Sequence, residues 1–359
     1  MALDLKNTEA LYVHIPFCDS ICSYCDFCKV LSNTYNHYDY LNALKNELSQ
    51  YPFKQFKTIY IGGGTPSSLS LDELGYLFEF LKPYSLNVLE YSIEVNPESL
   101  TLEKVKLFKR YHINRVSIGV QTLNDDTLKF INRHHTSNNV FDCIKMLKEE
   151  GITDINVDLI YGLPNNDLNQ TLNDIKICDS FNISHISVYS LILEDHTIFK
   201  HLNYQPLNDD EDARYYNEIK DYLRKLGYNH YEVSNFYKVK PSLHNLVYWH
   251  YEDYLAIGLG AHYKIDHLQI ENTRSYEKYI NGQYILNKEI LSDEDLMFNH
   301  LMMSLRLKEG ISLDDIHNNH YIDIMNKYMN QGYMKIENNQ VSLTYKGLLV
   351  MDTLLLEFL

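Results

Sequence analysis

The first 230 residues alternate short β-rich segments with helix-like segments, and this alternation restricts the fold more than any other feature of the sequence. Near-continuous apolar strands separated by helices are typical of a parallel sheet covered by helices. The pattern predicts an α/β fold, either a partial (β/α)6 barrel or an open doubly wound sheet. The predicted strands are LYVHIP (11–16), TIYIG (58–62), YSIEVN (91–96), RVSIGV (115–120), INVDLIYG (155–162) and HISVYSL (185–191). The helical patterns between them include 38–51, 71–82, 102–111, 138–151 and 169–181.

The strand–helix alternation ends near residue 231, which predicts a division into residues 1–230 and 231–359. Residues 230–263 are rich in aromatic residues, histidines and glycines. Further on, residues 332–347 predict a hairpin with an Asn-Asn turn, and the apolar C-terminus predicts a closing helix. Helical patterns precede the hairpin at 276–281 and 293–307. We expect the second part to be a smaller α+β region with a winged-helix-like end.

Unusual residues follow the predicted strands at the points where the strands end. A cysteine-rich loop follows the first strand, and GGGTP (62–66) follows the second. Glu94 and Asn96 lie at the end of the third strand, Gln121 follows the fourth, and Asp158 lies in the second half of the fifth. Barrels and open α/β sheets build their sites at the carboxyl ends of parallel strands. These residues therefore predict one functional site on a single rim.

The cysteine-rich loop has the spacing of a metal-binding segment. Cys18, Cys22 and Cys25 follow the pattern C-x3-C-x2-C. Soft thiolates suit iron–sulfur clusters, and three of them leave one iron of a cubane without a protein ligand. A structural zinc site normally has four closed ligands, and Cys28 offers a fourth. The spacing favours a cluster over zinc and leaves zinc open.

The charge balance and the absence of targeting patterns restrict the partners. The formal net charge is −16, from 32 basic and 48 acidic residues. Such an acidic balance disfavours non-specific binding to nucleic acids or to membrane surfaces. The first residues do not form a signal-peptide pattern, and no run of about 18 uninterrupted apolar residues predicts a membrane span. We expect a cytoplasmic protein that does not bind nucleic acid.

The segment HIPFCDSICSYCDF (14–27) resembles the signature of radical SAM enzymes. The resemblance is greatest to the branch that contains the oxygen-independent coproporphyrinogen III oxidases and the HemW heme chaperones. It implies that Cys18, Cys22 and Cys25 hold a [4Fe-4S] cluster. It also implies that S-adenosylmethionine (SAM) chelates the fourth iron, and that the strands form a partial (β/α)6 radical SAM barrel.

The glycine segment after the second strand matches the family in position. Glycines let the backbone approach a ligand closely, and successive N–H groups can form a nest for an anion. The resemblance implies that Gly63, Gly64 and Thr65 bind the amino end of SAM. For Tyr12 and Tyr24 it implies packing on the cluster loop or beside the adenine, with plain core packing as the alternative.

Four further residues match family segments in chain order. They are Glu94 in EVNP (94–97), Gln121 in SIGVQ (117–121), Arg133 in NRHH (132–135) and Asp158 in NVDLIYGLP (156–164). The resemblance implies that all four contact SAM. The chemistry agrees, since a carboxylate suits ribose hydroxyls, an amide suits a polar edge and an arginine suits the SAM carboxylate.

Several segments distinguish the two functions of this branch. The oxidases carry C-x3-C-x2-C-x-C, whereas here Phe27 holds the last position and Cys28 comes one residue later. The oxidases also carry a longer segment before the signature. By contrast, EVSNF (232–236), HNLVYW (244–249) and YLAIGLGAHY (254–263) resemble the heme chaperones, with Ala256 in place of a family glycine.

A histidine of the second region is the candidate heme ligand. A neutral imidazole is a common axial ligand of heme iron, and His244 opens the HNLVYW segment. Tyr248 and Trp249 would pack against the porphyrin. The alternative is a buried histidine that is hydrogen bonded to the backbone inside a packed turn, and His250 and His262 are rival ligands.

The resemblance therefore implies a heme chaperone that binds heme and a SAM-liganded [4Fe-4S] cluster and transfers heme to an acceptor protein. The alternative is an oxygen-independent coproporphyrinogen III oxidase-type enzyme of porphyrin biosynthesis, and this leaves open whether the protein is an enzyme. RNA modification ranks third because of the acidic charge. The expected partners are heme, a heme acceptor and an electron donor for the cluster, with a homodimer left open. Heme delivery would add peripheral contact with the membrane.

Overall fold

A twelve-stranded sheet dominates the protein, for which a computed structural model describes residues 5–359. Its centre consists of six parallel strands that pair in chain order. This order confirms the predicted partial (β/α)6 arrangement. The strands are β1 (Ala10–Ile15), β2 (Thr58–Gly63), β3 (Glu90–Val95), β4 (Arg115–Gln121), β5 (Asp154–Tyr161) and β6 (His185–Ser190).

Helices connect the parallel strands and bury one apolar face each against the sheet. The second of them illustrates the sequence logic, since Ser70 and Glu73 form a capping box at its start. Leu74, Leu77 and Phe78, spaced three and four residues apart, are fully buried on its inner face. The connecting helices are α1 (His37–Leu48), α2 (Leu71–Leu81), α3 (Leu102–Arg110), α4 (Asp125–Phe130), α5 (Ser137–Glu149) and α6 (Leu168–Ser180).

The chain after β6 extends both edges of the same sheet. Its elements up to residue 290 are α7 (Ile198–His201), α8 (Asp209–Lys225), β7 (Asn229–His230), β8 (Asn235–Tyr237), α9 (Leu243–Trp249), β9 (Tyr254–Ile257), β10 (His262–Ile265), β11 (Leu268–Asn272), α10 (Tyr276–Ile280) and β12 (Ile285–Ile290). Strand β8 pairs antiparallel with β6, while β9 pairs parallel with β1 at the opposite edge. Strands β10 to β12 then continue outward from β9. The sheet thus crosses the division predicted near residue 231, which stays a prediction about domains.

The last 67 residues form a second, smaller core of their own. Its elements are α11 (Asp293–Ser304), β13 (Ile311–Ser312), α12 (Asn319–Asn330), β14 (Met334–Glu337), β15 (Gln340–Leu343), α13 (Tyr345–Leu348) and α14 (Met351–Leu355). The predicted hairpin is confirmed, because β14 and β15 pair antiparallel around Asn338 and Asn339. Both asparagines have positive φ angles, 51° and 66°, as a two-residue type I′ turn requires.

The parallel strands carry polar side chains at alternate positions, and these side chains position the site. On β2 they are Thr58 and Tyr60, and on β5 they are Asn156 and Asp158. Alternate residues of a strand point to the same face. That face surrounds a cavity, while the other face packs under the helices.

Within residues 5–359, no helix is both long enough and apolar enough to cross a membrane.

Candidate cluster and cofactor site

A cavity of about 540 Å³ opens at the carboxyl ends of the parallel strands. Its walls bring together eleven of the thirteen residues that the sequence analysis assigned to a site. These eleven are Cys18, Cys22, Tyr24, Cys25, Gly63, Gly64, Thr65, Glu94, Gln121, Arg133 and Asp158. The remaining two, Tyr12 and His244, lie outside the cavity lining.

The cysteine loop between Cys18 and Val30 is fixed at several points. Its two ends pair with each other as short parallel strands, Phe17–Cys18 and Val30–Leu31. The Ser23 N–H donates to the carbonyl of Ile131 at 3.0 Å, which ties the loop to the end of α4. Within the loop, the Cys25 N–H donates to the Cys22 carbonyl at 3.2 Å. The loop therefore presents its thiols from a defined backbone.

Two of the three thiols accept hydrogen bonds from neighbouring site residues. Cys18 Sγ lies 3.6 Å from the Thr65 hydroxyl, and Cys22 Sγ lies 3.7 Å from a guanidinium nitrogen of Arg133. Burial raises the pKa of the Cys18 thiol to about 11. Binding of iron must therefore displace a proton from this thiol, because thiolates are the metal-binding form.

The glycine segment is held too tightly to accept side chains. A Cβ on Gly64 would lie 2.6 Å from the Pro16 carbonyl oxygen, and Gly63 has a φ of +117°. The predicted anion nest is wrong, because the N–H groups of Gly63, Gly64 and Thr65 all donate to protein acceptors. The backbone groups that this segment can offer to a ligand are its carbonyl oxygens, which suit a cationic amino group better than an anion.

Glu94 and Asp158 place two buried carboxyl groups on the cavity wall. Glu94 accepts hydrogen bonds from the Tyr60 hydroxyl at 2.8 Å and from the Gly63 N–H at 3.0 Å. Asp158 accepts hydrogen bonds from Ser117 and Asn156, each at 2.8 Å. Burial raises the pKa of both carboxyl groups, and that of Glu94 to about 7.

Gln121 and Arg133 complete the wall at the end of β4. Gln121 has a φ of +66°, an uncommon conformation for a residue with a side chain, and it follows a bulge in the pairing with β5. The guanidinium of Arg133 is buried and donates to the Gly119 carbonyl, but its Nε has no hydrogen-bond partner. A buried donor without a partner indicates a place for an acceptor group of a ligand.

These features fit the cluster and SAM that the sequence predicts. Three thiols stand on one fixed loop, a glycine cradle that excludes side chains adjoins Cys18, and an arginine with an unpartnered donor adjoins Cys22. Within residues 5–359, no three His, Cys, Asp or Glu side chains are close enough together to hold a single metal ion.

Tyr12 and His244 lie one layer behind the cavity wall. The Tyr12 hydroxyl is hydrogen bonded to His14 at 3.0 Å, and its ring stacks on Tyr60. His244 has no exposed surface, and its two ring nitrogens are hydrogen bonded to Thr58 at 2.9 Å and to Tyr248 at 2.8 Å. In this structure His244 is thus buried and hydrogen bonded, as the alternative predicts, but its partners are side chains rather than the backbone.

Sequence reasoning missed much of the polar wall of the cavity. The missed side chains include Tyr60, Ser117, Asn156, Ser187, Tyr189, Asn235 and Asn245. Most of them lie on the parallel strands, and the signal that could have found them is the alternation of polar residues along β2, β4, β5 and β6. Asn235 and Asn245 come from the later segment and carry no such signal.

The fold and this site define a radical SAM protein, and the model of the radical SAM superfamily matches residues 12–176. Membership implies a [4Fe-4S] cluster and SAM as cofactors. Curated relatives cover most of the chain. The heme chaperone HemW of Lactococcus lactis is 35% identical over 96% of this chain and 95% of its own, and HemW of Bacillus subtilis is 36% identical over 85% of each. The chain therefore belongs to the HemW family.

A solved structure agrees with the fold. Coproporphyrinogen III oxidase (HemN) from Escherichia coli superimposes with a TM-score of 0.86 over 99% of this chain and 91% of its own. Its sequence identity is 21%, so the likeness establishes the architecture alone.

Proposed function

We propose that this protein is a heme chaperone that binds heme, carries a SAM-liganded [4Fe-4S] cluster and passes heme to an acceptor protein. The observation that carries the proposal is the likeness to HemW heme chaperones, which extends along nearly the whole chain and includes the region after residue 230. That region lies beyond the segment common to radical SAM proteins.

The three thiols of Cys18, Cys22 and Cys25 would hold the cluster, which would supply one-electron chemistry to SAM when both are bound. Around it, Arg133 would receive the SAM carboxylate on its unpartnered Nε. The carbonyl groups of Gly63 and Gly64, together with Thr65, would receive the amino group.

The remaining wall residues would hold the nucleoside part of SAM. Each oxygen of Glu94 accepts one hydrogen bond from the protein and keeps a further lone pair for a ribose hydroxyl. Asp158, Gln121 and Tyr24 line the same wall and would contact the ribose and the adenine.

The position of Cys28 supports the chaperone over the oxidase reading. Phe27 stands where the oxidases have a fourth cysteine, lines the cavity and is 69% exposed. Cys28 instead packs beside Gly260, where an added Cβ would lie 2.9 Å from its Sγ. Its carbonyl oxygen is hydrogen bonded to His14 at 2.8 Å, which fixes this direction.

The function is tested by adding heme to the protein after anaerobic reconstitution of the cluster. We expect a Soret band that saturates near one heme per chain, and transfer of that heme to apomyoglobin as a probe acceptor. Absence of a saturable band would contradict the proposal. SAM-dependent loss of carboxyl groups from coproporphyrinogen III would instead establish the oxidase reaction.

We also predict that SAM binding depends on pH through Glu94. Burial is the main cause that raises the pKa of Glu94 to about 7, and the neighbouring Asp158 raises it further. The hydrogen bonds from Tyr60 and Gly63 act in the opposite direction and lower this pKa. Only the ionised carboxylate offers all its lone pairs to hydroxyl donors and attracts the positive sulfonium of SAM. Affinity should therefore fall about tenfold between about pH 8 and pH 6.

Equilibrium dialysis of SAM across this pH range measures the effect. Glu94→Gln is the matched variant, since its amide does not titrate. Subtracting its profile removes any titration of SAM itself. An identical slope in both proteins would exclude Glu94 as the titrating group.

The proposal also covers the protein's partners and its location in the cell. We infer an electron donor for the cluster and a heme acceptor, and a cytoplasmic location with contact at the membrane during delivery. A homodimer is compatible with these roles. The acidic net charge of −16 agrees with partners other than nucleic acid.

A further inference from the structure

The HNLVYW segment packs against the strands that carry the proposed SAM site. It folds into α9, and the carboxylate of Glu90 holds the start of this helix. Glu90 accepts hydrogen bonds from the Ser242 hydroxyl at 2.9 Å, the Leu243 N–H at 2.8 Å and the His244 N–H at 3.1 Å. Because Glu90 is fully buried at the start of β3, α9 is fixed to the polar face of the sheet.

His244 is a residue of α9 that contacts strand β2. Its ring lies against the ring of Tyr60, with centroids 5.3 Å apart and planes inclined by 25°. Its two nitrogens are engaged by Thr58 of β2 and by Tyr248 of its own helix. Tyr60 also stacks on Tyr12, with centroids 6.1 Å apart. The Tyr60 ring is thereby held in place by neighbours on two elements.

Tyr60 connects α9 to the cavity. Its hydroxyl donates to Glu94 at 2.8 Å, and the second oxygen of Glu94 accepts the Gly63 N–H. A carboxylate fixed at both oxygens has a defined orientation, whereas one without Tyr60 has a single protein donor.

We infer that His244 is a positioning residue of the SAM site, which acts through the stacked ring of Tyr60 on the carboxylate of Glu94. The inference rests on the proposed binding of SAM by Glu94.

Tyr60→Phe is the sharpest test, because it keeps the stacked ring and removes only the hydroxyl. Tyr91→Phe is the matched control, since Tyr91 lies on the opposite face of β3, is buried, and has a hydroxyl without a hydrogen-bond partner. Both variants are reconstituted with cluster, and SAM affinity is measured by equilibrium dialysis. We expect Tyr60→Phe to weaken SAM binding about tenfold, the effect of one hydrogen bond to a charged group, and Tyr91→Phe to leave it unchanged.

The pH profile separates positioning from general damage. The groups that face Glu94 are Asp158, Tyr60 and Tyr12 on the strands and Tyr248 on α9. Loss of the Tyr60 donor removes a bond that favours the ionised carboxylate. The SAM-binding profile of Tyr60→Phe should therefore shift to higher pH, while that of Tyr91→Phe should not.

His244→Ala then tests the histidine itself. We expect weaker SAM binding and a SAM-binding profile shifted to higher pH, as in Tyr60→Phe. Wild-type SAM affinity in either variant overturns the inference. If His244→Ala does not fold, Tyr60→Phe decides alone. If Glu94→Gln itself binds SAM normally, the proposed role of Glu94 fails instead, which separates the two failures.

Discussion

Replacement of Cys22 by serine is expected to abolish assembly of the [4Fe-4S] cluster. Cys22 lies in the middle of the three-cysteine loop, and its sulfur lies 3.7 Å from the Arg133 guanidinium. A hydroxyl is a hard ligand that replaces a soft thiolate poorly at iron. Two thiols should not retain a cubane, so we expect iron to fall from about four atoms per chain to near zero. Iron analysis and the visible absorbance of the anaerobic protein measure the change.

Cys28→Ser is the matched control for this loop. Cys28 lies three residues beyond Cys25, but its side chain packs beside Gly260 rather than lining the cavity. We expect this variant to assemble the cluster as the wild type does. Loss of iron in Cys28→Ser would show a fourth thiol ligand and would contradict an open iron for SAM. Retention of the full cluster in Cys22→Ser would disprove the ligand set.

The strand–helix order and the rim residues could be predicted because their signals are local in sequence. The six parallel strands are apolar runs, and the site residues follow them directly. Gly64, for example, needs no knowledge of distant contacts to be placed at the end of β2. The sequence analysis missed the polar side chains of the same strands that face the cavity, because residues such as Tyr60 and Asn156 are interspersed among apolar residues.

The environment of His244 could not be predicted, because its partners are remote in sequence. Thr58 lies 186 residues away and Glu90 lies 154 residues away from it. Without knowledge of these contacts, the sequence cannot show whether both imidazole nitrogens are hydrogen bonded or free. The same holds for β9, a four-residue strand whose partner β1 lies more than 240 positions earlier.

Replacement of Glu90 by alanine is expected to destabilise the protein by about 3 kcal/mol and to weaken SAM binding with it. The substitution leaves four donors without an acceptor, namely the hydroxyls of Ser92 and Ser242 and the N–H groups of Leu243 and His244. Since the last three of these donors fix α9, the ring of His244 should lose its place against Tyr60. Denaturant unfolding measures the first effect, and equilibrium dialysis of SAM measures the second.

Glu47→Ala separates the two effects of Glu90→Ala. Glu47 is as deeply buried and accepts three donors, the Gly258 N–H at 2.9 Å, the Asn272 amide at 2.6 Å and the Tyr279 hydroxyl. It joins α1 to the strands beyond β9 and does not contact Tyr60 or Glu94. We expect a similar loss of stability with SAM affinity retained under native conditions. Equal weakening of SAM binding in both variants would mean that reduced stability alone explains the effect, and that α9 does not transmit order to Glu94.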